Sequence, residues 1–273
     1  MTEKQLPLLI EPEQLQPLLD SPDIMVVDLC KHDVYAQLHI PGAVHLDYAQ
    51  IVAVKPPVMG LLPDAATLSQ LVSAMGLTPD THVVAYDDEG GGRAARLIWT
   101  LDAVGHSRAS LLNGGLHAWL KEGHPTVNTE NRHPSSDYHV EIDATPVADR
   151  AYILAHLDDA NTILLDSRSP EEYRGERKFA AHAGHIPGAV NMDWFLVMDK
   201  ERNMRLKSES TLRALLTERG IREEKTVVTY CQTHHRSALS YFVLKLLGYP
   251  NIKGYPGSWS DWGNQDDTPI AGV

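Results

Sequence analysis

The chain has 273 residues, of which 43% are hydrophobic and 22% charged, an ordinary globular composition that excludes collagen, coiled coil and wholesale disorder. Its length indicates two domains, because one domain takes about 150 residues. The formal net charge of -12 argues against a general binder of nucleic acid or of anionic membranes. The sequence contains only two cysteines, Cys30 and Cys231, which excludes a disulfide scaffold.

The N-terminal residues lack the basic region and long apolar run of a signal peptide. No uninterrupted apolar stretch approaches the roughly 20 residues that span a bilayer. We therefore expect a cytoplasmic protein with reduced thiols, bound neither to a membrane nor to nucleic acid.

Several motifs occur twice along the chain. The pentapeptide Ile-Pro-Gly-Ala-Val at residues 40–44 returns at 186–190, and Val-Val-Ala-Tyr at 83–86 returns as Val-Val-Thr-Tyr at 227–230. Repeated landmarks in the same order indicate a duplicated domain. We predict an N-terminal domain at 1–125, a linker rich in polar residues and proline at 126–145, and a C-terminal domain at 146–273.

The second copy alternates between strand-like and helix-like segments. In chain order, these are a strand at 162–166, a helix at 209–219, a strand at 226–230, a helix at 238–247 and a strand at 251–253. Such alternation predicts an α/β fold in which each domain is a parallel sheet with helices on both faces. Ligands of such sheets bind beyond the carboxyl ends of the strands.

The strand predicted at 226–230 leads directly into a polar loop, which consists of Cys231, Gln232, Thr233, His234, His235, Arg236 and Ser237. A tight loop that leads into a helix points backbone N–H groups inward and forms an anion-binding nest, and the helix dipole adds positive charge. Such surroundings lower a thiol pKa from about 8.5 to roughly 3.5–7.5. The sequence therefore favours a thiolate at Cys231, and equally an anion carried on its sulfur.

Two other roles for this loop are open. Cys231 as a buried apolar side chain is the commonest fate of a free cysteine, but such a role requires no polar loop. A metal site of Cys231, His234 and His235, with or without His182 and His185, does not match the usual zinc spacing and lacks a second cysteine pair. We therefore predict neither a metal nor another cofactor.

Three segments together resemble the rhodanese (sulfurtransferase) family. They are the loop at 231–237, Gly-His-Ile-Pro-Gly-Ala at 184–189 and Gly-Tyr-Pro-Gly-Ser-Trp at 254–259. The resemblance covers nearly the whole chain as tandem rhodanese domains, and the loop is similar to that of bacterial two-domain thiosulfate sulfurtransferases. In that family, the first domain is inactive and the second carries the nucleophilic cysteine, here Cys231.

The first copy agrees with that division of roles. Asp87 occupies the position that matches Cys231, and a carboxylate cannot form a persulfide. The acidic residues that follow would repel an anionic donor, so we predict that the N-terminal domain is inactive. Cys30 follows a strand without an anion loop, and we predict a structural role for it.

The resemblance implies a two-step sulfur relay. The Cys231 thiolate takes sulfur from a small sulfur-containing anion such as thiosulfate, and cyanide, a thiol or a protein acceptor then removes it. Residues 232–237 would bind the substrate, with Arg236 providing loop rigidity or donor binding. Trp194 would form an apolar wall of the pocket. We expect a monomer, because the duplication already supplies a domain pair.

Other activities are open at this stage. Some family members carry a lysine where this chain has Thr233, and with fewer cationic groups the donor could differ from thiosulfate. The loop typical of the mercaptopyruvate branch, Cys-Gly-Ser/Thr-Gly, is absent. The alternatives that we keep are 3-mercaptopyruvate or another donor, and a persulfide carrier that serves a protein partner. Tyrosine phosphatases use Cys-x5-Arg, whereas this loop is Cys-x4-Arg. A shorter loop fits one sulfur better than a phosphoryl group, which disfavours a phosphatase.

Overall fold

The computed structural model describes residues 6–272. Residues 1–5, on which the predicted lack of a signal peptide partly depends, lie outside the described residues, as does residue 273. Within the described range the chain forms two units. The N-terminal unit comprises residues 6–51, Pro63–Asp143 and Asp199–Leu206, and the C-terminal unit comprises Val52–Leu62, Ala144–Met198 and residues 207–272.

The strands in chain order are β1 (Leu9–Ile10), β2 (Ile24–Asp28), β3 (Val44–His45), β4 (Ala53–Lys55), β5 (Val58–Leu61), β6 (His82–Tyr86), β7 (Ala109–Leu112), β8 (Thr162–Asp166), β9 (Val190–Asn191), β10 (Met198–Asp199), β11 (Arg205–Leu206), β12 (Thr226–Tyr230) and β13 (Ile252–Gly254). The α-helices are α1 (Pro12–Leu15), α2 (His32–Gln37), α3 (Ala65–Met75), α4 (Gly92–Asp102), α5 (Gly115–Lys121), α6 (Arg150–Ala155), α7 (Pro170–Tyr173), α8 (Glu209–Glu218), α9 (Arg236–Leu246) and α10 (Ser258–Trp262). Short 3-10 helices lie at Gln16–Leu18, Tyr48–Ile51, Trp194–Val197 and Lys200–Arg202.

The N-terminal unit is built on a parallel sheet with strand order β1-β7-β6-β2-β3. Strand β6 is buried along its whole length, as expected for a central strand of a parallel sheet. Helix α4 is buried along most of its length and contributes the fully buried Trp99.

The C-terminal unit has a second parallel sheet, with strand order β13-β12-β8-β9. In this sheet Tyr230 lies opposite Asp166, and Asp166 lies opposite Asn191. The carboxyl ends of β12, β8 and β9 therefore meet at one edge, which is where such sheets bind ligands. The two parallel sheets with their helices confirm the predicted α/β fold.

The predicted linker contacts the N-terminal unit along much of its length. The N–H of Val140 donates to Ser69 Oγ at 3.0 Å, and the N–H of Asp143 donates to the carbonyl of Ala103 at 2.7 Å. Residues 126–143 thus belong to that unit, and the role of 126–145 as a joint stays a prediction.

None of the helices among residues 6–272 combines the length and the apolar character that crossing a membrane requires.

Candidate active site

Cys231 lies immediately after β12, at the edge where the strands of the C-terminal sheet end. Its side chain is fully buried. Helix α9 begins at Arg236, so the intervening loop turns within a few residues from the strand into the helix. The local order of strand, loop and helix is the one that the sequence predicts.

Backbone hydrogen bonds from the start of α10 hold the first part of this loop. The N–H of Trp259 donates to the carbonyl of Cys231 at 3.0 Å, and the N–H of Ser260 donates to that of Gln232 at 2.9 Å. The hydroxyl of Ser258 accepts hydrogen bonds from the N–H groups of Cys231 at 3.2 Å and His234 at 3.0 Å. Both carbonyls and N–H groups of the loop therefore have partners on α10.

Strand β5 approaches the same loop at a glycine. A Cβ atom on Gly60 would lie 2.4 Å from the carbonyl oxygen of Thr233 and 2.5 Å from that of Pro256. Those distances are far shorter than a van der Waals contact, so only glycine allows the strand to lie this close to the loop.

The surroundings of Cys231 favour its ionised form. Burial is the largest single influence and raises the pKa of the thiol, but the charge of Arg236 and hydrogen bonds from Ser237 and Thr233 act against it. Together these groups bring the pKa of Cys231 below its ordinary value. The sulfur is thus disposed to act as a nucleophile.

A carboxylate fixes the position of Arg236. The two terminal nitrogens of its guanidinium donate to the two oxygens of Glu172, at 2.6 and 2.8 Å. Glu172 is only 5% exposed and closes a capping box with Ser169 at the start of α7. The paired, bidentate geometry orients the guanidinium firmly, which favours a bracing role for Arg236.

A buried ion pair lies at the end of the neighbouring strand. Arg168 contacts the carboxylate of Asp166 at 2.6 Å, and both side chains are almost entirely buried. The guanidinium also lies 4.5 Å from the ring of Trp259 and donates to the carbonyl of Gly184 at 2.8 Å. This pair joins β8 to α10 and to the segment that precedes β9.

The structure places the predicted loop residues in two groups. Gln232, Thr233, His235 and Arg236 are partly exposed, whereas His234 and Ser237 are buried. His234 is fully buried, and its Nδ1 lies 2.8 Å from Ser237 Oγ.

Trp194 is 7% exposed, and its ring centroid lies 5.7 Å from that of His235. It thus packs beside the loop, and its role as a pocket wall stays a prediction.

In the corresponding loop of the N-terminal unit, the backbone N–H groups bind the side chain of Asp87. The carboxylate of Asp87 accepts hydrogen bonds from the N–H groups of Glu89 at 3.0 Å, Gly91 at 2.8 Å and Ala94 at 3.0 Å. Asp87 is fully buried, so this anion nest holds a carboxylate that is part of the chain.

The described residues contain no group of three or more His, Cys, Asp and Glu side chains that could hold a metal ion.

Two residues of the site were not among those predicted. Glu172 has a signal in the sequence, because Ser169 and Glu172 have the spacing of a capping box, but nothing local connects it with Arg236. Ser258 lies within the motif at 254–259, yet its contacts with Cys231 and His234 arise only on folding.

Comparison with known proteins identifies relatives over nearly the whole chain. A family model described as "Rhodanese-like domain" matches residues 11–122 and 149–265. Proteins named thiosulfate sulfurtransferase are 46% identical in Azotobacter vinelandii and 43% identical in Pseudomonas aeruginosa, each match covering 97% of both chains. "Sulfur carrier protein TtuD" of Thermus thermophilus is 35% identical, covering 97% of this chain and 96% of its own.

Solved structures agree in fold. A crystal structure of the anaerobic ergothioneine biosynthesis enzyme from Chlorobium limicola has a TM-score of 0.88 at 22% identity. The match covers 99% of this chain and 71% of that one.

Proposed function

This chain belongs to the rhodanese family, and we propose that it is a thiosulfate sulfurtransferase whose nucleophile is Cys231. The observation that carries the proposal is a buried thiol whose pKa is lowered by Arg236, Ser237 and Thr233, against the effect of burial. The relatives named thiosulfate sulfurtransferase, which match nearly the full length, support the choice of donor.

The first step loads sulfur on the enzyme. The Cys231 thiolate attacks the outer sulfur of thiosulfate, a bond forms between the two sulfur atoms, and the S–S bond of thiosulfate breaks. The electron pair of that bond leaves with sulfite, which is stable as an anion, so the step needs no general acid. The product is a Cys231 persulfide.

The second step unloads it. An acceptor nucleophile such as cyanide attacks the terminal sulfur, the bond to Cys231 breaks, and its electron pair returns to the cysteine as a thiolate. The sulfur carries negative charge in both resting and loaded states. Fixed N–H donors and Arg236 stabilise either state without rearrangement, which is electrostatic preorganisation.

The N-terminal domain takes no part in this chemistry. Its counterpart of Cys231 is Asp87, whose carboxylate is bound by backbone N–H groups. A carboxylate has no sulfur to load, so each chain carries one active thiol. We place the protein in the cytoplasm, where thiols stay reduced, and expect it to be a monomer.

A persulfide carrier is the second candidate. The relative named as a sulfur carrier protein favours it, because a carrier and an enzyme share the loaded intermediate and differ in the acceptor. Transfer from the loaded protein to a protein thiol, measured beside transfer to cyanide, distinguishes the two.

Intact-mass measurement of the full chain tests the proposal. Thiosulfate should add the mass of one sulfur atom, cyanide should remove it, and thiocyanate should appear. Parallel incubation with 3-mercaptopyruvate ranks the donors. Folded protein that gains no sulfur from thiosulfate would contradict the proposal, as would phosphate release from an aryl phosphate without thiocyanate formation.

A further inference from the structure

Ser258, the first residue of α10, has a backbone conformation that side chains seldom adopt. Its φ angle is +50°, in the left-handed region that favours glycine. The residue is fully buried. A strained, buried, non-glycine residue persists only where its surroundings hold it, and such residues concentrate at functional sites.

The N-terminal unit builds the same turn with glycine. Gly115 is the first residue of α5 and has a φ angle of +52°. The next residue, Leu116, donates its N–H to the carbonyl of Asp87 at 2.9 Å, just as Trp259 donates to Cys231 at 3.0 Å. The turn itself therefore does not need a serine, and serine stands only beside the loop that carries the thiol.

The hydroxyl of Ser258 makes contacts that glycine cannot. It accepts hydrogen bonds from the N–H groups of Cys231 at 3.2 Å and His234 at 3.0 Å. It donates to the carbonyl of Tyr255 at 2.7 Å, which fixes the orientation of the hydroxyl and leaves its lone pairs for the loop.

The effect of this brace extends to the sulfur. His234 contacts Ser237 at 2.8 Å between Nδ1 and Oγ, and Ser237 is one of the groups that lower the pKa of Cys231. The N–H groups held by Ser258 belong to Cys231 and His234, whereas the hydrogen bonds to the sulfur come from the side chain and backbone of Ser237 and from the backbone of Thr233. Ser258 therefore holds the two residues of the loop that flank Thr233 at positions 231 and 234 without using a donor that the sulfur needs.

We propose that Ser258 is a positioning residue, whose hydroxyl holds the loop so that the hydrogen-bond donors of Thr233 and Ser237 converge on the Cys231 sulfur. The inference rests on the proposed role of Cys231. Removing the hydroxyl leaves two buried N–H donors without their acceptor, and the loop must rearrange to satisfy them.

The Ser258→Gly variant tests this role, because glycine suits the φ angle and is the residue of the N-terminal copy. We expect the thiol pKa, taken from the rate of iodoacetamide alkylation against pH, to rise by about one pH unit, the size of one lost hydrogen bond. The rate of persulfide formation, measured at a pH below the wild-type midpoint, should fall about tenfold. Ser258→Ala, which keeps Cβ, should give the same shift and serves if the glycine variant does not fold.

Ser240→Ala is the matched control. Ser240 is a fully buried serine of α9, and its hydroxyl lies 2.8 Å from that of Ser167. We expect this variant to keep the wild-type profile. An unchanged profile in both Ser258 variants, or an equal shift in Ser240→Ala, overturns the inference. Alkylation needs no sulfur donor, so this result is independent of whether thiosulfate loads the wild-type protein.

Discussion

The thiol pKa values of the two buried cysteines, Cys30 and Cys231, are shifted in opposite directions from the ordinary value. Burial raises the pKa of Cys30, and the neighbouring charge of Asp28 raises it further. Cys231 is at least as deeply buried, yet Arg236 and loop hydrogen bonds bring its pKa below the ordinary value. Reactivity therefore depends on the charges and donors around the sulfur, and burial alone does not decide it.

Replacing each cysteine in turn should separate these roles. Cys231→Ser should reduce thiocyanate formation to the uncatalysed background, because an oxygen cannot carry a persulfide. Cys30→Ala should keep most of the wild-type rate. The measurement is steady-state thiocyanate production with thiosulfate and cyanide, and comparable losses in both variants would argue against a single active thiol.

The rate of sulfur loading should depend on pH through the ionisation of Cys231. Only the thiolate attacks, so the rate should fall as the pH drops through the pKa, with a midpoint below the ordinary thiol value of about 8.5. Arg236→Gln removes the opposite charge and should move the midpoint upward by about one unit. Single-turnover loading measured across pH checks this, and a midpoint that stays in place would exclude the charge of Arg236 as a cause.

At the scale of elements, the loop after β12 is held from several directions. Helix α10 binds its backbone, β5 approaches it at Gly60, and α7 supplies the carboxylate that orients Arg236 at the start of α9. The nest is therefore a product of several elements rather than of the loop sequence alone.

Breaking the link between α7 and α9 should destabilise the C-terminal unit. Glu172→Gln leaves the partly buried Arg236 without its countercharge and should lower the free energy of unfolding by about 2 kcal/mol. Glu171→Gln changes the adjacent carboxylate, which does not contact Arg236, and should leave the unfolding midpoint close to that of the unchanged protein. Urea unfolding of both variants, followed by tryptophan fluorescence, measures the difference in stability. Equal midpoints for the two variants would contradict a stabilising role of the ion pair between Glu172 and Arg236.

Local patterns in the sequence predict the elements well and the contacts between them poorly. The strands at 162–166 and 226–230 have the predicted bounds, because each is a short run of mostly apolar and β-branched residues. Helix α9 begins at Arg236 instead of 238, since its apolar spacing becomes visible only after the first turn. Cys231 and its loop could be predicted because they are contiguous in sequence. Glu172 and Ser258 could not, because folding alone brings them to that loop.

At the scale of the whole molecule, acid should weaken the fold through buried histidines. Burial and the charge of Arg108 lower the pKa of His82 to about 4, from an ordinary value of about 6.5. His82 is 4% exposed and contacts Ser110 Oγ at 2.7 Å. The folded state is therefore more stable when the His82 imidazole is neutral than when it is protonated.

The sign of the effect follows from this depressed pKa. The stabilisation is fully present above about pH 6.5 and is lost as the pH falls toward 4, where the unfolded chain binds the proton first. The contribution of His82 amounts to at most about 3 kcal/mol. His82→Gln should therefore show a shallower loss of stability between these pH values in urea unfolding, and identical slopes in both proteins would contradict the assignment.

Because of the carboxylate of Asp87, the two copies differ in how long their anion sites stay occupied as well as in their chemistry. Each copy has a loop that can bind an anion. In the N-terminal copy the bound group is the side chain of Asp87, which is covalently part of the chain and stays in place as long as the domain is folded. In the C-terminal copy we propose that the loop holds the sulfur atom that is transferred to Cys231 and removed from it in each turnover. The residue at the end of one strand thus keeps the N-terminal site permanently filled, whereas the proposed C-terminal site fills and empties with each turnover.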